Sequence, residues 1–221
     1  MAIEARNREL PKWFERIRTR QLVLPRFQRF EAWGYGGVPQ LFNTILRDLP
    51  VGSVLVLEVG NEEPFLSRTL VGAPTDGERV AEHLLDGQQR LTALWRGLHN
   101  NYPDRTFFLN MAPDEEDESG LGSASYVDSV GRWTRKNEDV RRPLWANVPE
   151  HQWHRRKIPL DLFAPGDEAA GRARAWAREA VDDRDLADEL YDEIIRVRQQ
   201  VAAFNLPFLA LPVTTPKETA L

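Results

Sequence analysis

The sequence predicts a mixed α/β (α+β) domain on three observations. Residues 53–59 and 83–85 are short, continuously apolar runs of the kind found in buried strands. Several other segments repeat apolar residues every three to four positions, as one face of a helix requires. The two patterns interleave along the chain, which favours helices packed on a sheet over a helical bundle or an all-β sandwich.

The first helix is expected at residues 10–20, with Pro11 near its start and Trp13, Phe14 and Ile17 on one face. Residues 21–24 are extended and run into Pro25-Arg26-Phe27-Gln28-Arg29-Phe30-Glu31-Ala32-Trp33, an exposed loop in which aromatics and arginines alternate, before the glycine-rich Gly34-Tyr35-Gly36-Gly37. A second helix follows at 38–49 with Leu41, Phe42, Ile45 and Leu49 as its stripe, stopped by Pro50 and Gly52. After the strand at 53–59 comes loop to residue 80, then the strand at 83–85 and a helix that buries Leu91, Leu94, Trp95 and Leu98.

A further strand is expected at 105–110 and a strand pair at 125–135, whereas 143–163 is rich in proline and tryptophan without a period. Two helices follow at 167–181 and 184–204, the second with Leu186, Leu190, Ile194, Val197 and Val201 on one side, and a strand at 208–213 closes. The domain reading is a core at 1–165 and a helical annex with its closing strand at 166–221. Residues 215–221 read as the start of another helix, so the chain is expected to be a truncated part of a longer protein.

Composition narrows the function classes. With 221 residues, 42% hydrophobic and 29% charged, the chain can bury a sizeable core. A net charge of −5 argues against a protein coated in positive potential for duplex binding, although local patches remain open at Arg16, Arg18, Arg20, Arg26 and Arg29 and at Arg155-Arg156-Lys157. No cysteine is present, which removes disulfides, thiolate metal sites and cysteine nucleophiles together. The sequence shows no signal peptide and no run of roughly 20 apolar residues for a membrane span, so the expected location is cytoplasmic. The acidic run 114–118 reads as a surface loop lacking the ligand spacing of a calcium site, and His151 and His154 as histidines without a third metal ligand.

The segment Asp86-Gly87-Gln88-Gln89-Arg90 carries the chemistry. An apolar strand breaks there and restarts as a helix whose first turn holds two glutamines and an arginine. The first amides of a helix lack intrahelical partners and sit at the positive end of its dipole, so this is the layout of a phosphate site. The same residues admit a structural reading, in which Asp86 is the N-cap and Gln89 closes a capping box. That reading accounts for Asp86 and Gln89 and leaves Gln88 and Arg90 without a structural role.

Together, the loop at 24–33 and Leu85-Asp86-Gly87-Gln88-Gln89-Arg90-Leu91-Thr92-Ala93-Leu94 resemble the DGQQR-motif domains of GmrSD-type and SspE-type bacterial anti-phage proteins, with Phe27 where a tyrosine is usual. The resemblance implies a ParB/sulfiredoxin-like fold that binds and often hydrolyses a nucleoside triphosphate with Mg2+, coupled to restriction of modified phage DNA. It implies a metal- or water-orienting role for Asp86 and close backbone approach at Gly87. Gln88 and Gln89 would bond phosphate or ribose, Arg90 would pair with phosphate, and Gln28 and Arg29 would complete the pocket, with Asp86, Gln88 and Arg90 as the catalytic set. Phe27, Gln28 and Trp33 are the implied DNA-sensing residues. A further asparagine-containing motif and a nuclease region would lie beyond Leu221, or on a separate nuclease subunit, so this chain alone is not expected to cut DNA. The runner-up reading is a non-catalytic module of the same fold that senses modified DNA or binds a protein partner.

Overall fold

Pairing between two strands far apart in sequence sets the layout. Strand β2 (Leu22–Pro25) lies parallel to β5 (Glu82–Asp86), so the chain leaves both at the same edge of the sheet. The computed structural model describes residues 3–30, 33–34, 36–111, 125–216 and 218. The acidic run at 114–118 lies outside the described residues, as do Glu31, Ala32, Tyr35 and most of the segment after residue 216.

The main sheet has the order β1 (Glu4–Glu9), β9 (Asn205–Leu211), β3 (Val54–Glu58), β5, β2 and β4 (Ser67–Arg68). Helix α1 (Leu10–Arg18) follows β1, α2 (Gly37–Leu46) precedes β3, and α3 (Gln88–Leu98) follows β5. A second, antiparallel sheet is formed by β6 (Arg105–Asn110) between β7 (Tyr126–Gly131) and β8 (Lys157–Pro159). It is tied to α2 by Asn43, whose Oδ1 accepts from the Val127 amide at 2.7 Å. Helix α4 (Pro149–Trp153) and 3-10 turns at Leu144–Asn147 and Leu160–Phe163 fill the aperiodic stretch. Helices α5 (Asp167–Ala180) and α6 (Arg184–Ala203) pack on each other and on the second 3-10 turn.

The expected mixed α/β class is therefore what the chain adopts, and the apolar stripes that predicted α1, α2, α3 and α6 are buried except for Leu49, which lies past the end of α2, and Leu186 in the first turn of α6, both exposed. One cluster runs from Leu10, Trp13 and Phe14 through Phe42, Leu94 and Phe163 to Trp176, Ile194 and Phe208. Residues on both sides of position 165 share that core, and β9 lies inside the main sheet between β1 and β3.

Three elements depart from the sequence expectation. Strand β1, Glu-Ala-Arg-Asn-Arg-Glu, carries no apolar pattern because it is an edge strand whose side chains are exposed apart from Arg8. Residues 125–135 hold one strand rather than a pair, since β7 takes its partner from β6 and the chain beyond it makes only a bridge from Trp133 to Arg142. Two residues of the expected loop at 60–80 form β4 against β2. No helix among the described residues is long and apolar enough to cross a membrane.

His83 on β5 is fully buried, and burial pushes its pKa below the ordinary 6.5 against the opposing pull of Glu63, whose Oε2 lies 3.7 Å away. Burial likewise lowers His99. Both are neutral when folded and take up protons more readily once unfolded, so stability is expected to fall as pH drops below about 6.5 and to flatten under the folded pKa values. Thermal melts of the parent between pH 7.5 and 5 would show this slope, and His83→Leu would flatten part of it. A parent melting point independent of pH over that range contradicts the assignment.

Candidate functional site

Gly87 is held at φ +92°, and a Cβ there would come within 2.9 Å of Val54 Cγ2, so both backbone and space call for glycine. It occupies the N-cap position of α3 without a side-chain cap. This corrects the capping-box reading. Asp86 ends β5 with its side chain about three-quarters exposed, while the Gln89 Oε1 accepts from the Trp33 amide at 3.1 Å rather than closing on the helix start. The first intrahelical bond is Leu91 N to Gly87 O, which leaves the amides of Gln88, Gln89 and Arg90 outside the helical ladder.

The two residues without a structural role in the sequence reading have one here. Gln88 Nε2 donates to the Arg29 carbonyl at 2.9 Å and Gln89 Nε2 to Phe30 at 3.4 Å. In return Gln28 Nε2 donates to the Leu85 carbonyl at 2.6 Å, where a bulge between β3 and β5 interrupts the ladder. Segments 57 to 59 residues apart are thus joined by side-chain amides to backbone carbonyls. Arg90 donates from Nη1 to Val51 O at 3.1 Å and from Nη2 to Ser53 O at 2.6 Å, and packs against Gly52 at φ +83°.

The result is one cavity of about 220 Å³ lined by Gln28, Arg29, Trp33, Asp86, Gly87, Gln88, Gln89 and Arg90. The predicted nucleotide residues share this lining. Phe27 is not among them: half exposed, it meets Phe65 edge to face at 5.1 Å, and Phe65 in turn leans on His83. Two buried polar atoms at the cavity residues lack a hydrogen-bond partner, Gln88 Oε1 and Arg90 Nε, and a third is nearby on Arg68, whose Nη2 holds the Gln28 and Arg29 carbonyls. Sequence reading missed Arg68 and the Val51–Ser53 carbonyls, which lie in segments without pattern or motif.

Other groups are placed less productively for chemistry. Ser67 Oγ lies 2.8 Å from His83 Nε2, yet it also donates to Glu63, and His83 Nδ1 has no acceptor to orient it, so the three do not form a nucleophilic triad. His151 and His154 are exposed, with His154 beside Glu150 at 3.6 Å. Among the described residues no three His, Asp or Glu side chains gather as a metal cluster, so a metal at the cavity would have Asp86 as its protein carboxylate. Arg155 and Arg156 stack on Trp145 and Trp153, and Lys157 pairs with Asp128 at 2.7 Å.

The family profile described as GmrSD restriction endonuclease, N-terminal domain, matches residues 10–198. The chain belongs to this family. It is a domain of the restriction-protein class, and the match takes in both motifs that build the cavity. The chain is also similar to an uncharacterized protein of Methanocaldococcus jannaschii, 28% identical over 111 residues that cover 44% of this chain and 19% of the relative. The GmrSD-type domain here thus spans about a fifth of the length of the curated relative it matches.

Proposed function

We propose that this chain is the nucleotide-binding, nucleoside-triphosphate-hydrolysing regulatory domain of a modification-dependent restriction protein, built on a ParB/sulfiredoxin-like core and working in the cytoplasm with a nuclease domain or nuclease subunit. The observation that carries this reading is the convergence of two distant motifs on one polar cavity at the start of α3, with Gln88, only 4% exposed, presenting an unpartnered Oε1. Buried polar atoms are normally satisfied, so an orphaned acceptor beside the first-turn amides of Gln88 and Arg90, which lie outside the helical ladder, fits a ligand with both anionic oxygens and hydroxyl or water donors. A nucleotide with its hydrated Mg2+ has both.

The donor set fits Mg2+, which keeps several waters and takes one or two carboxylates plus phosphate oxygens. Bound there, Mg2+ would offset the charge that builds on the phosphates during hydrolysis. The chain's own residues supply the rest. Helix amides and Arg90 hold phosphate oxygens, Gln88 Oε1 orients a water or hydroxyl, and Gln28 and Gln89 fix the loop that carries Arg29.

The test is calorimetric titration with ATP, GTP, CTP and UTP plus Mg2+, beside phosphate release by the parent and by Asp86→Asn. Because Asp86 is exposed, its replacement should shift stability by less than about 0.5 kcal/mol. Hydrolysis is expected to fall roughly 10²- to 10³-fold. A parent that binds none of the four overturns the reading.

A second reading, sensing of modified DNA without turnover, is favoured by Phe27 at 50% and Phe30 at 78% exposure beside the exposed Arg26 and Arg29. Aromatics interleaved with arginine suit unstacked bases. If the nucleotide titration fails while a modified duplex binds in a salt-dependent way that Phe27→Ala weakens, this second reading takes its place.

A further inference from the structure

A second cleft of about 590 Å³ adjoins the first, and Trp33 and Arg90 line both. Its other walls come from α2, through Gln40, Leu41 and Thr44, and from Pro50 and Val51 of the strap that Arg90 holds. We propose that this cleft binds the base and sugar of the nucleotide whose phosphates lie in the first cavity, and that Gln40 reads the edge of the base. This rests on the nucleotide reading above and adds to it where the base sits and which residue selects it.

The two linings differ in chemistry. The first cavity is walled by charged and amide groups around the start of α3, where the amides of Gln88 and Arg90 make no helical bond, which suits phosphate. The second sets Trp33, Leu41, Pro50 and Val51 beside Gln40, Thr44 and Arg90, apolar walls with polar groups among them, the mixture that holds a planar aromatic ring and fixes its orientation. Trp33 lies against the start of α2, where a Cβ on Gly37 would come within 3.0 Å of its ring, yet over a third of the residue stays exposed. Its backbone is tied to the other cavity through Gln89, so one residue is anchored at the junction where sugar meets phosphate.

Among the polar residues of the cleft, Thr44 gives its hydroxyl to the Gln40 carbonyl at 2.8 Å. The exposed Gln40 amide has no hydrogen-bond partner among the described residues. An amide offers donor and acceptor side by side, which is what discrimination between base edges requires.

The experiment compares nucleoside triphosphates with inorganic tripolyphosphate, both with Mg2+, on the parent, Gln40→Trp and Gln40→Ala. Position 40 is an exposed helix site, and unchanged melting verifies that each variant is folded. The parent is expected to bind its preferred nucleotide at least tenfold more tightly than tripolyphosphate. Gln40→Trp fills the cleft and should remove that margin while tripolyphosphate binding is kept, and Gln40→Ala should compress the ranking of the four bases. If the parent binds tripolyphosphate and nucleotides equally, or if Gln40→Trp leaves the margin intact, the base subsite is wrong and the phosphate site stands. If the parent binds neither, both readings are overturned.

Discussion

Replacing Arg90 by alanine is expected to lower stability by about 1–3 kcal/mol and to weaken nucleotide binding roughly 10- to 100-fold, because one side chain performs two tasks. Read from its place in a first helical turn, this arginine has no structural role. The structure instead shows it mostly buried, with 22% of its side chain exposed, clamping the Val51 and Ser53 carbonyls. Those two bonds use only part of the five N–H donors of a guanidinium, and Nε has no partner, so a phosphate can be bound without releasing the strap. Arg90→Lys separates the tasks. An ammonium keeps the charge and satisfies one carbonyl, so it should recover part of the stability and little of the bidentate phosphate contact. Melting curves and tripolyphosphate titrations of the three proteins check both halves. An alanine variant that melts like the parent would remove the clamp, and one that binds like the parent would remove the phosphate role.

What could be read in advance follows the range of the interactions involved. The helices α1, α2, α3, α5 and α6 and the strand β3 were legible because burial of one face, or of a whole strand, imposes a period on the local sequence. The identity of the cavity residues was legible through two motifs, but their meeting was not. It depends on β2 and β5 lying parallel, a pairing that no local pattern specifies. The capping reading failed for a related reason: Asp86 and Gln89 have the right spacing for a box, but Gly87 in the left-handed region turns the chain before Asp86 can cap, and Gln89 is drawn to a loop 56 residues earlier in the chain. Arg68 and the strap at residues 51–53 act through long-range bonds to carbonyls, which leave no trace in residue type.

Strand β1 was invisible for the opposite reason, since its charged sequence conceals one buried group on which the sheet depends. Arg8 makes a two-pronged ion pair with Glu82, Nη1 to Oε2 and Nη2 to Oε1, each at 2.7 Å, with side chains only 9% and 6% exposed. Its guanidinium lies over the rings of Trp13 and Phe208, 4.2 and 4.4 Å from their centroids, and the two rings themselves meet edge to face. Arg8→Ala is expected to cost about 3–5 kcal/mol, measured by urea unfolding, because it strands a buried carboxylate rather than removing a surface pair. Arg16, 3.3 Å from the same carboxylate but about a third exposed, moderates this without replacing it. Removing both charges should be milder than removing one, so Arg8→Met combined with Glu82→Leu is expected to recover most of the loss. A single-variant loss under about 1 kcal/mol would mean that Arg16 suffices. The consequence reaches the cavity, because Glu82 begins the strand that ends at Asp86. The pair fixes one end of β5 while Gln28 holds the other through Leu85, so under conditions where Arg8→Ala remains folded its nucleotide affinity should fall with the loosened strand, and the double variant should restore both together.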